Sequence, residues 1–599
     1  MTLPWVDQPV SLHSSRDPGE CTMTAEQCAY KQQYWVFWYE ADHRFALPTI
    51  AFFLVAIILF TLGHLLFTYA PRSWKKAGPW RRIVSASRLL SYKSWRFGGW
   101  NTQSLGTYLL GIVGAIFFLA MTLGPRPYYW PNTKELSYGG SPPIATRSGY
   151  MALGCLPFLL ILGTKANPIA TLTGTSHEKL VVWHNWVAWA MFVLALIHTF
   201  PFIVYNIWLG DMQMSWSMGG TYVTGVIALL AQAWLTFMSI RWIRERYYEF
   251  FKATHIFFAA VFVVFFFIHC DFILTSWDYF IAAGVLYFSS WLYSLCRTYF
   301  EHGVGHRARL SLVTEEMLKI TIDTDTQWTP GQHIYLRFLT FGLHSLTAHP
   351  FTICSSSFTG KCNQMVFYVK QRGGLTGRLA RLAGKEPNKA ISVLLDGPYG
   401  GVKSRWFSGF DRSVIVGGGA GVGFTLPLVE DFLMSRWTNN HENRMEVVVV
   451  SRDPGMRNWY LEALGDLAAR VSGEDEKKKL LGLSVHIYET DHGNELNSTS
   501  TDLESNGSRS KSDEPTEGTG DKRAATIETF GVRYFKGRPD LKVLASGSVA
   551  TQGASVGLVV CGPASMVHDM GQVAADAQRD IIKSSPGAEE VWFHTETFV

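Results

Sequence analysis

The sequence predicts a multi-domain protein: an α-helical transmembrane bundle, then a small antiparallel β-barrel, then a parallel α/β domain. Three observations carry that prediction. The first half of the chain holds long apolar runs with few charges. Two of those runs, HNWVAWAMFVLALIH (184–198) and HIFFAAVFVVFFFIH (255–269), are bracketed by histidines at the same spacing, i to i+14. After Arg297 the texture changes to short β-rich stretches, and from about residue 411 to alternating strand, glycine and helix patterns.

At 599 residues the chain is too long for one ordinary domain, and its 48% hydrophobic and 17% charged composition averages two unlike halves. Apolar runs at 48–70, 104–124, 149–169, 183–207, 220–240, 253–273 and 277–297 are close to the ~20 residues that a helix needs to cross the hydrocarbon core. The third is the weakest, because Pro157 and Pro168 interrupt or end it. Seven spans are expected, with six and eight left open. Segments 71–103 and 241–252 are rich in Lys and Arg, whereas the loop 208–219 has neither. Basic short loops stay in the cytosol, so the N-terminus is expected outside and everything after Arg297 inside. Cys21 and Cys28 then fall on the outer segment, where they either pair or remain two free thiols.

The histidine spacing has a geometric meaning. Fourteen residues turn a helix through roughly 1400°, some 40° short of four turns, and rise about 21 Å. His184 and His198 therefore share a face, and so do His255 and His269. Both helices run in the same direction, so His184 should face His255 and His198 should face His269. Ionisable groups inside a membrane are costly and mark function, and imidazole is an axial ligand of haem iron. Two stacked bis-histidine haems are expected. Unrelated helix-end histidines are the simpler alternative, which the doubled spacing disfavours.

In the second half, RARLSLV, LKITID, GQHIYLRF, NQMVFYVK and ISVLLDGPYG read as regularly spaced strands of a small barrel. VIVGGGAGVG, MEVVVVSRD and VGLVVCGPASMV read as strands of a parallel α/β sheet. The first fits no G-x-G-x-x-G register, yet is a glycine turn between strand and helix, where backbone N–H groups can approach a pyrophosphate. Ser451 and Arg452 end one strand, where a guanidinium could meet a 2′-phosphate. Cys561, Gly562 and Pro563 end another, at the edge where ligands bind. HPFTICSS (349–356) and KQRGGLTGRL (370–379) also stand out. The second opens a basic helix suited to a flavin pyrophosphate, although Arg372 and Arg378 also fit a solvated surface. His349 and Thr352 also fit ordinary strand positions. Residues 491–526 are polar, nearly free of large apolar residues, and expected to form a disordered insertion.

Taken together, the paired H-x13-H spans, HPFT, GGLTG, GGGAGVG, CGP and the terminal ETF resemble the ferric reductases of fungal membranes, within the broader group that includes the NADPH oxidases. The resemblance covers nearly the whole chain. It implies a cytosolic flavoprotein module similar to ferredoxin–NADP reductase, with FAD, NADPH and two b-type haems as cofactors. By motif, His349, Pro350, Phe351 and Thr352 would line FAD, and Gly374, Leu375 and Thr376 would hold its pyrophosphate. Gly417, Gly418, Gly419, Gly421 and Gly423 would meet NADPH, as would Ser451 and Arg452. Cys561, Gly562 and Pro563 would lie near the nicotinamide. Phe598 would cover the flavin, although the chain ends at Val599, earlier than in many relatives. His184, His198, His255 and His269 would be the metal ligands.

The implied domains are an extracytoplasmic segment 1–47, a di-haem membrane domain 48–300, an FAD domain 301–408 and an NADPH domain 409–599 that carries the insertion. The implied activity passes NADPH electrons through flavin and haem to external ferric chelates, with Cu(II) as a second acceptor. The implied setting is the plasma membrane, with functional coupling to an iron uptake system and no nucleic-acid partner. An NADPH oxidase, which gives the electron to oxygen, has the same parts. Against it stand the extra N-terminal span and the equal spacing of both histidine pairs, since the resemblance gives the oxidases six spans and a second pair one residue closer. A non-enzymatic cytochrome is disfavoured by the nucleotide motifs.

Overall fold

A computed structural model of the chain describes residues 21–34, 42–98, 100–133, 136–217, 220–270, 276–342, 345, 347–357, 363–403, 405–439, 443–471, 482–490 and 530–596. In chain order the first part comprises α1 (Ala25–Tyr34), α2 (Leu47–Tyr69), α3 (Gly78–Tyr92), a hairpin of β1 (Arg96–Phe97) and β2 (Trp100–Asn101), α4 (Leu105–Leu123), α5 (Pro143–Leu162), α6 (His177–Leu209), α7 (Gly220–Met238), α8 (Tyr248–His269) and α9 (Ser276–Cys296). The chain divides into two compact units, 1–69 with 109–294, and 70–108 with 295–599.

Among the described residues, seven helices are long and apolar enough to cross a membrane. The third of them, α5, continues through Pro157 rather than breaking there. Proline is tolerated in membrane helices because neighbouring groups satisfy the backbone it frees. The low apolarity of α5 has a different cause. It lies inside the bundle, packed along α6, with Met151, Leu156 and Ile161 buried. A helix enclosed by other helices does not need a lipid-facing surface, so Arg147, Ser148 and Tyr150 are accommodated there. Helix α8 packs along α7. Cys21 and Cys28 form a disulfide, with Cα atoms 5.9 Å apart, which resolves the pairing left open above.

Beside the β1–β2 hairpin, the described residues of the second unit form two six-stranded sheets. Strands β3 (Arg307–Thr314), β4 (Met317–Thr324), β5 (Gln332–Phe338), β6 (His349–Thr352), β7 (Asn363–Lys370) and β8 (Ala390–Gly400) form a six-stranded antiparallel sheet in the order β6-β5-β8-β3-β4-β7. Its edges meet just past β6, where Cys354 N–H donates to the Val366 carbonyl (2.8 Å) and Val366 N–H donates to Ser355 Oγ (3.1 Å). The sheet thus curls upon itself around Ile320, Ile334, Leu336 and Phe338. Helix α10 (Gly374–Lys385) covers it through Leu375 and Leu379.

The chain continues with β9 (Arg412–Gly418), α11 (Thr425–Asn439), β10 (Arg444–Ser451), α12 (Pro454–Val471), β11 (Leu483–Glu489), β12 (Arg533–Lys536), α13 (Leu541–Val549), β13 (Ser555–Cys561), α14 (Ala564–Lys583) and β14 (Glu590–Glu596). These strands form a parallel sheet in the order β12-β11-β10-β9-β13-β14. Its central strands are buried on both faces and read as nearly continuous apolar runs. Residues 491–526 lie outside the described residues.

The basic segment after α2 is not an isolated loop. Helix α3 lies along α14 within the second unit. Arg81 pairs with Glu589 (2.8 Å), Arg88 with Glu590 (2.8 Å), and Lys93 donates to Gln572 (2.6 Å). Tyr92 meets the Phe593 ring edge-on, and Phe593 N–H donates to its hydroxyl oxygen (3.1 Å). Burial pushes the Tyr92 hydroxyl above its ordinary pKa.

Candidate functional site

The four spaced histidines come together in two pairs. The His184 and His255 ring centres are 6.4 Å apart, and those of His198 and His269 are 5.8 Å apart. Each ring is tied back through Nδ1. The partners are the Leu159 carbonyl for His184, the Ala145 carbonyl for His198 and the Thr221 carbonyl for His269, all at 2.8 Å, and the Ser239 hydroxyl for His255 at 3.3 Å. A neutral imidazole that donates from Nδ1 keeps Nε2 as its free lone pair. Each pair therefore offers two Nε2 ligands.

Arg147 was not singled out from the sequence. It sits on α5 two residues from the carbonyl that holds His198, and it is 2% exposed. Its Nε donates to the Thr122 carbonyl (2.7 Å) and Nη1 to the Pro127 carbonyl (3.5 Å), while Nη2 is buried with no hydrogen-bond partner among the described residues. Arg147 lies two residues before the apolar run 149–169, so the sequence pattern gave no intramembrane charge to single out.

On the barrel, HPFT is the edge strand β6, with His333 opposite Thr352 and Tyr335 opposite Pro350. Phe351 is buried, while Pro350 is exposed and His349 and Thr352 are half-buried. The GGLTG turn opens α10. Gly374 has φ +64°, a conformation that favours glycine. Thr376 Oγ accepts from Arg372 N–H and donates to the Arg372 carbonyl, both at 3.0 Å, which draws the turn tight against the helix start. Leu375 anchors the helix in the core, leaving Gly373 and Gly374 exposed at its N-terminus.

In the parallel sheet the candidate residues gather at the carboxyl edge. Gly417 is in register with Cys561 on one side and Val449 on the other. This strand, β9, is where the chain's order reverses, the position at which such sheets bind ligands. The glycine turn that follows is a tight 3-10 turn over Gly419–Phe424 before α11 begins. Close packing requires its glycines: a Cβ at Gly421 would lie 2.3 Å from the Cys561 carbonyl oxygen, and one at Gly423 would lie 2.8 Å from Cys354 Sγ. The turn thus sits between the CGP strand end and the residues just after HPFT. Burial pushes the Cys354 thiol up to about 12 and also raises the Cys561 thiol. Both are protonated at neutral pH. Gly562 is half-buried and Pro563 exposed at the start of α14.

Ser451 is buried, and its hydroxyl accepts from Asp453 N–H (3.2 Å). Arg452 is exposed one residue later. The sequence reading missed Arg457, which holds this corner by donating to the Ser451 carbonyl (3.0 Å) and pairing with Glu489 (2.5 Å). Phe598 lies outside the described residues.

Three family profiles match in succession: the ferric reductase like transmembrane component over 148–266, an FAD-binding domain over 304–403, and the ferric reductase NAD binding domain over 410–575. The chain carries the transmembrane and NAD-binding domains of the ferric reductase family. Among curated relatives it is 30% identical over 381 residues to a "Probable cell surface ferric reductase" of Aspergillus oryzae, covering 60% of this chain and 50% of that one. It is 29% identical over 360 residues to "Ferric/cupric reductase transmembrane component 7" of Saccharomyces cerevisiae, covering 58% and 55%. A longer match, 24% identical over 573 residues, is to "Ferric reductase transmembrane component 3" of the same yeast, covering 89% and 74%. The chain spans about half the length of the first two relatives. The ferric reductase transmembrane profile includes His184, His198 and His255 and ends three residues before His269.

Proposed function

We propose that the chain is a transmembrane metalloreductase that carries electrons from cytosolic NADPH to ferric chelates outside the cell, with Cu(II) as a second acceptor. The observation that carries this reading is the pairing of four histidines, each with Nδ1 occupied and Nε2 free. Two imidazoles that hold one metal ion at about 2 Å each set their ring centres roughly 6 Å apart. The observed 6.4 and 5.8 Å fit that requirement. His184 with His255, and His198 with His269, would hold two b-type haems. Arg147 offers a buried cation to a haem carboxylate near His198.

When bound, FAD accepts the two-electron hydride of NADPH and releases electrons singly, and haem carries them singly. The HPFT strand and the α10 N-terminus would hold FAD, whose pyrophosphate suits the free N–H groups of a helix start. The glycine turn after β9, Ser451, Arg452 and the CGP end of β13 would hold NADPH. The close packing of Gly421 and Gly423 against Cys561 and Cys354 supports a nicotinamide site beside the flavin site. The proposed domain limits at 47, 300 and 408 follow this division of labour, except that 70–108 packs within the second compact unit.

The Cys21–Cys28 bridge supports an N-terminus in an oxidising compartment, with the plasma membrane as the site and iron uptake as the use of the product. Intact cells expressing the chain should reduce ferric chelate in the medium without producing superoxide. Superoxide production in the absence of ferric reduction would instead support an oxidase.

A further inference from the structure

The four histidine seats are built to one plan, with one departure. In each seat the group that receives Nδ1–H lies on a neighbouring helix, and the residue four positions past a backbone carbonyl faces the ring. His198 donates to the Ala145 carbonyl and lies against Gly149, where a Cβ would come within 2.6 Å of the ring. His269 donates to the Thr221 carbonyl and lies against Gly225, with the corresponding distance 2.7 Å. His184 donates to the Leu159 carbonyl and lies against Gly163, at 3.3 Å. In the fourth seat the same two positions are Leu235 and Ser239. Here the carbonyl is not reached directly. Ser239 Oγ donates to the Leu235 carbonyl (2.5 Å) and stands 3.3 Å from His255 Nδ1. Leu235 is in the last turn of α7, where carbonyls lack intrahelical partners, so the hydroxyl has an acceptor at hand.

We propose that Ser239 is a positioning residue that seats His255 through a hydroxyl relay and thereby holds the potential of the haem bound by His184 and His255 above the value a direct carbonyl seat would give. This rests on the two-haem reading given above. A ligating histidine becomes more basic as its far N–H bonds to a stronger acceptor. A more basic axial ligand stabilises the ferric state and lowers the potential, a lever available to any haem protein. Three seats offer a helix carbonyl at 2.8 Å, and the fourth offers a hydroxyl at a distance beyond the usual range for N–H···O bonds. One pair therefore has two strongly bonded imidazoles and the other has only one. The difference is a property of this chain's side chain at position 239, not of the spacing that pairs the histidines.

The test is spectroelectrochemistry of the purified holoprotein with Ser239→Thr, Ser239→Ala and Ser239→Gly. Threonine keeps the hydroxyl and should leave both haem potentials where they are. Alanine keeps a Cβ at position 239 but removes the hydroxyl, so one haem should shift to higher potential. Glycine recreates the plan of the other seats and lets Nδ1–H reach Leu235, so the same haem should shift to lower potential. The second haem serves as the internal reference and should not move. Shifts of the same sign for alanine and glycine, equal shifts of both haems, or no shift would overturn the proposal. Loss of one haem in the alanine variant with retention in the threonine variant upholds the hydroxyl as the seat, and loss in the threonine variant overturns it. A wild-type preparation with fewer than two haems per chain removes the underlying reading and this inference with it. Two haems with unmoved potentials remove this inference alone.

Discussion

Arg452 stands exposed one residue past β10, next to the buried corner that Arg457 holds through the Ser451 carbonyl. A guanidinium there can pair with a 2′-phosphate that NADH lacks. Charged hydrogen bonds contribute about 1.5–3 kcal/mol, so Arg452→Ala should raise KM for NADPH roughly tenfold or more and leave NADH kinetics almost unchanged. Equal losses with both nucleotides would assign Arg452 another task. Among the histidines, His184→Ala or His255→Ala should remove one haem and His198→Ala or His269→Ala the other. The pyridine haemochrome assay reads this directly, and full haem content in any of these variants removes that residue from the ligand set. His269 is the informative case, because the family profile ends before it while the structure sets it 5.8 Å from His198.

Helix α3 shows what the basic segment before the second span does at the scale of an element. Its Arg81 and Arg88 pair with Glu589 and Glu590 at the start of β14, and Glu590 is the hub. Burial alone would raise this carboxyl, but the guanidiniums of Arg405 and Arg88 outweigh it and hold it down at about 2. The depressed value fixes the sign of the pH dependence. The contribution to stability is fully present above the unfolded carboxylate range, about 4.3, and is lost as pH falls from there through about 2. Because the pair is partly solvent-screened, the contribution is roughly 2 kcal/mol. Hydrogen exchange of the α3 amides should therefore be flat from pH 8 to 5 after correction for intrinsic rates, and Glu590→Gln should speed it at neutral pH. An unchanged exchange rate in that variant would mean that α3 is held by Tyr92 and its apolar contacts instead.

For the whole molecule, the two-unit division makes a kinetic separation testable. The residues proposed to bind nucleotide all belong to the second unit and the paired histidines to the first. His198→Ala should abolish reduction of external ferric chelate by intact cells, yet leave NADPH-driven bleaching of flavin in permeabilised membranes within about twofold of wild type, since the two sets of residues belong to separate compact units. Loss of flavin reduction in the same variant would show that His198 also supports the second unit.

The features legible in the sequence were those governed by local periodicity. Apolar runs of membrane length, a fourteen-residue histidine spacing that returns to one helix face, alternating strands and glycine turns each depend on a few neighbouring residues, and the helices and strands formed where those patterns lie. The α5 run read as weak because it is judged by apolarity, whereas its helix is sheltered from lipid by other helices. Long-range packing decided the remainder. Nothing near residue 239 announces that its hydroxyl stands in a place where three other seats use glycine, because that comparison exists only once α7 lies beside α8. Arg88 and Glu590 are separated by 502 residues, Arg457 and Glu489 by 32, and in each case the packing of distant elements brought the partners together. Helix and strand patterns are written in a chain's own period, but which polar group completes a buried site depends on which distant backbone is pressed against it.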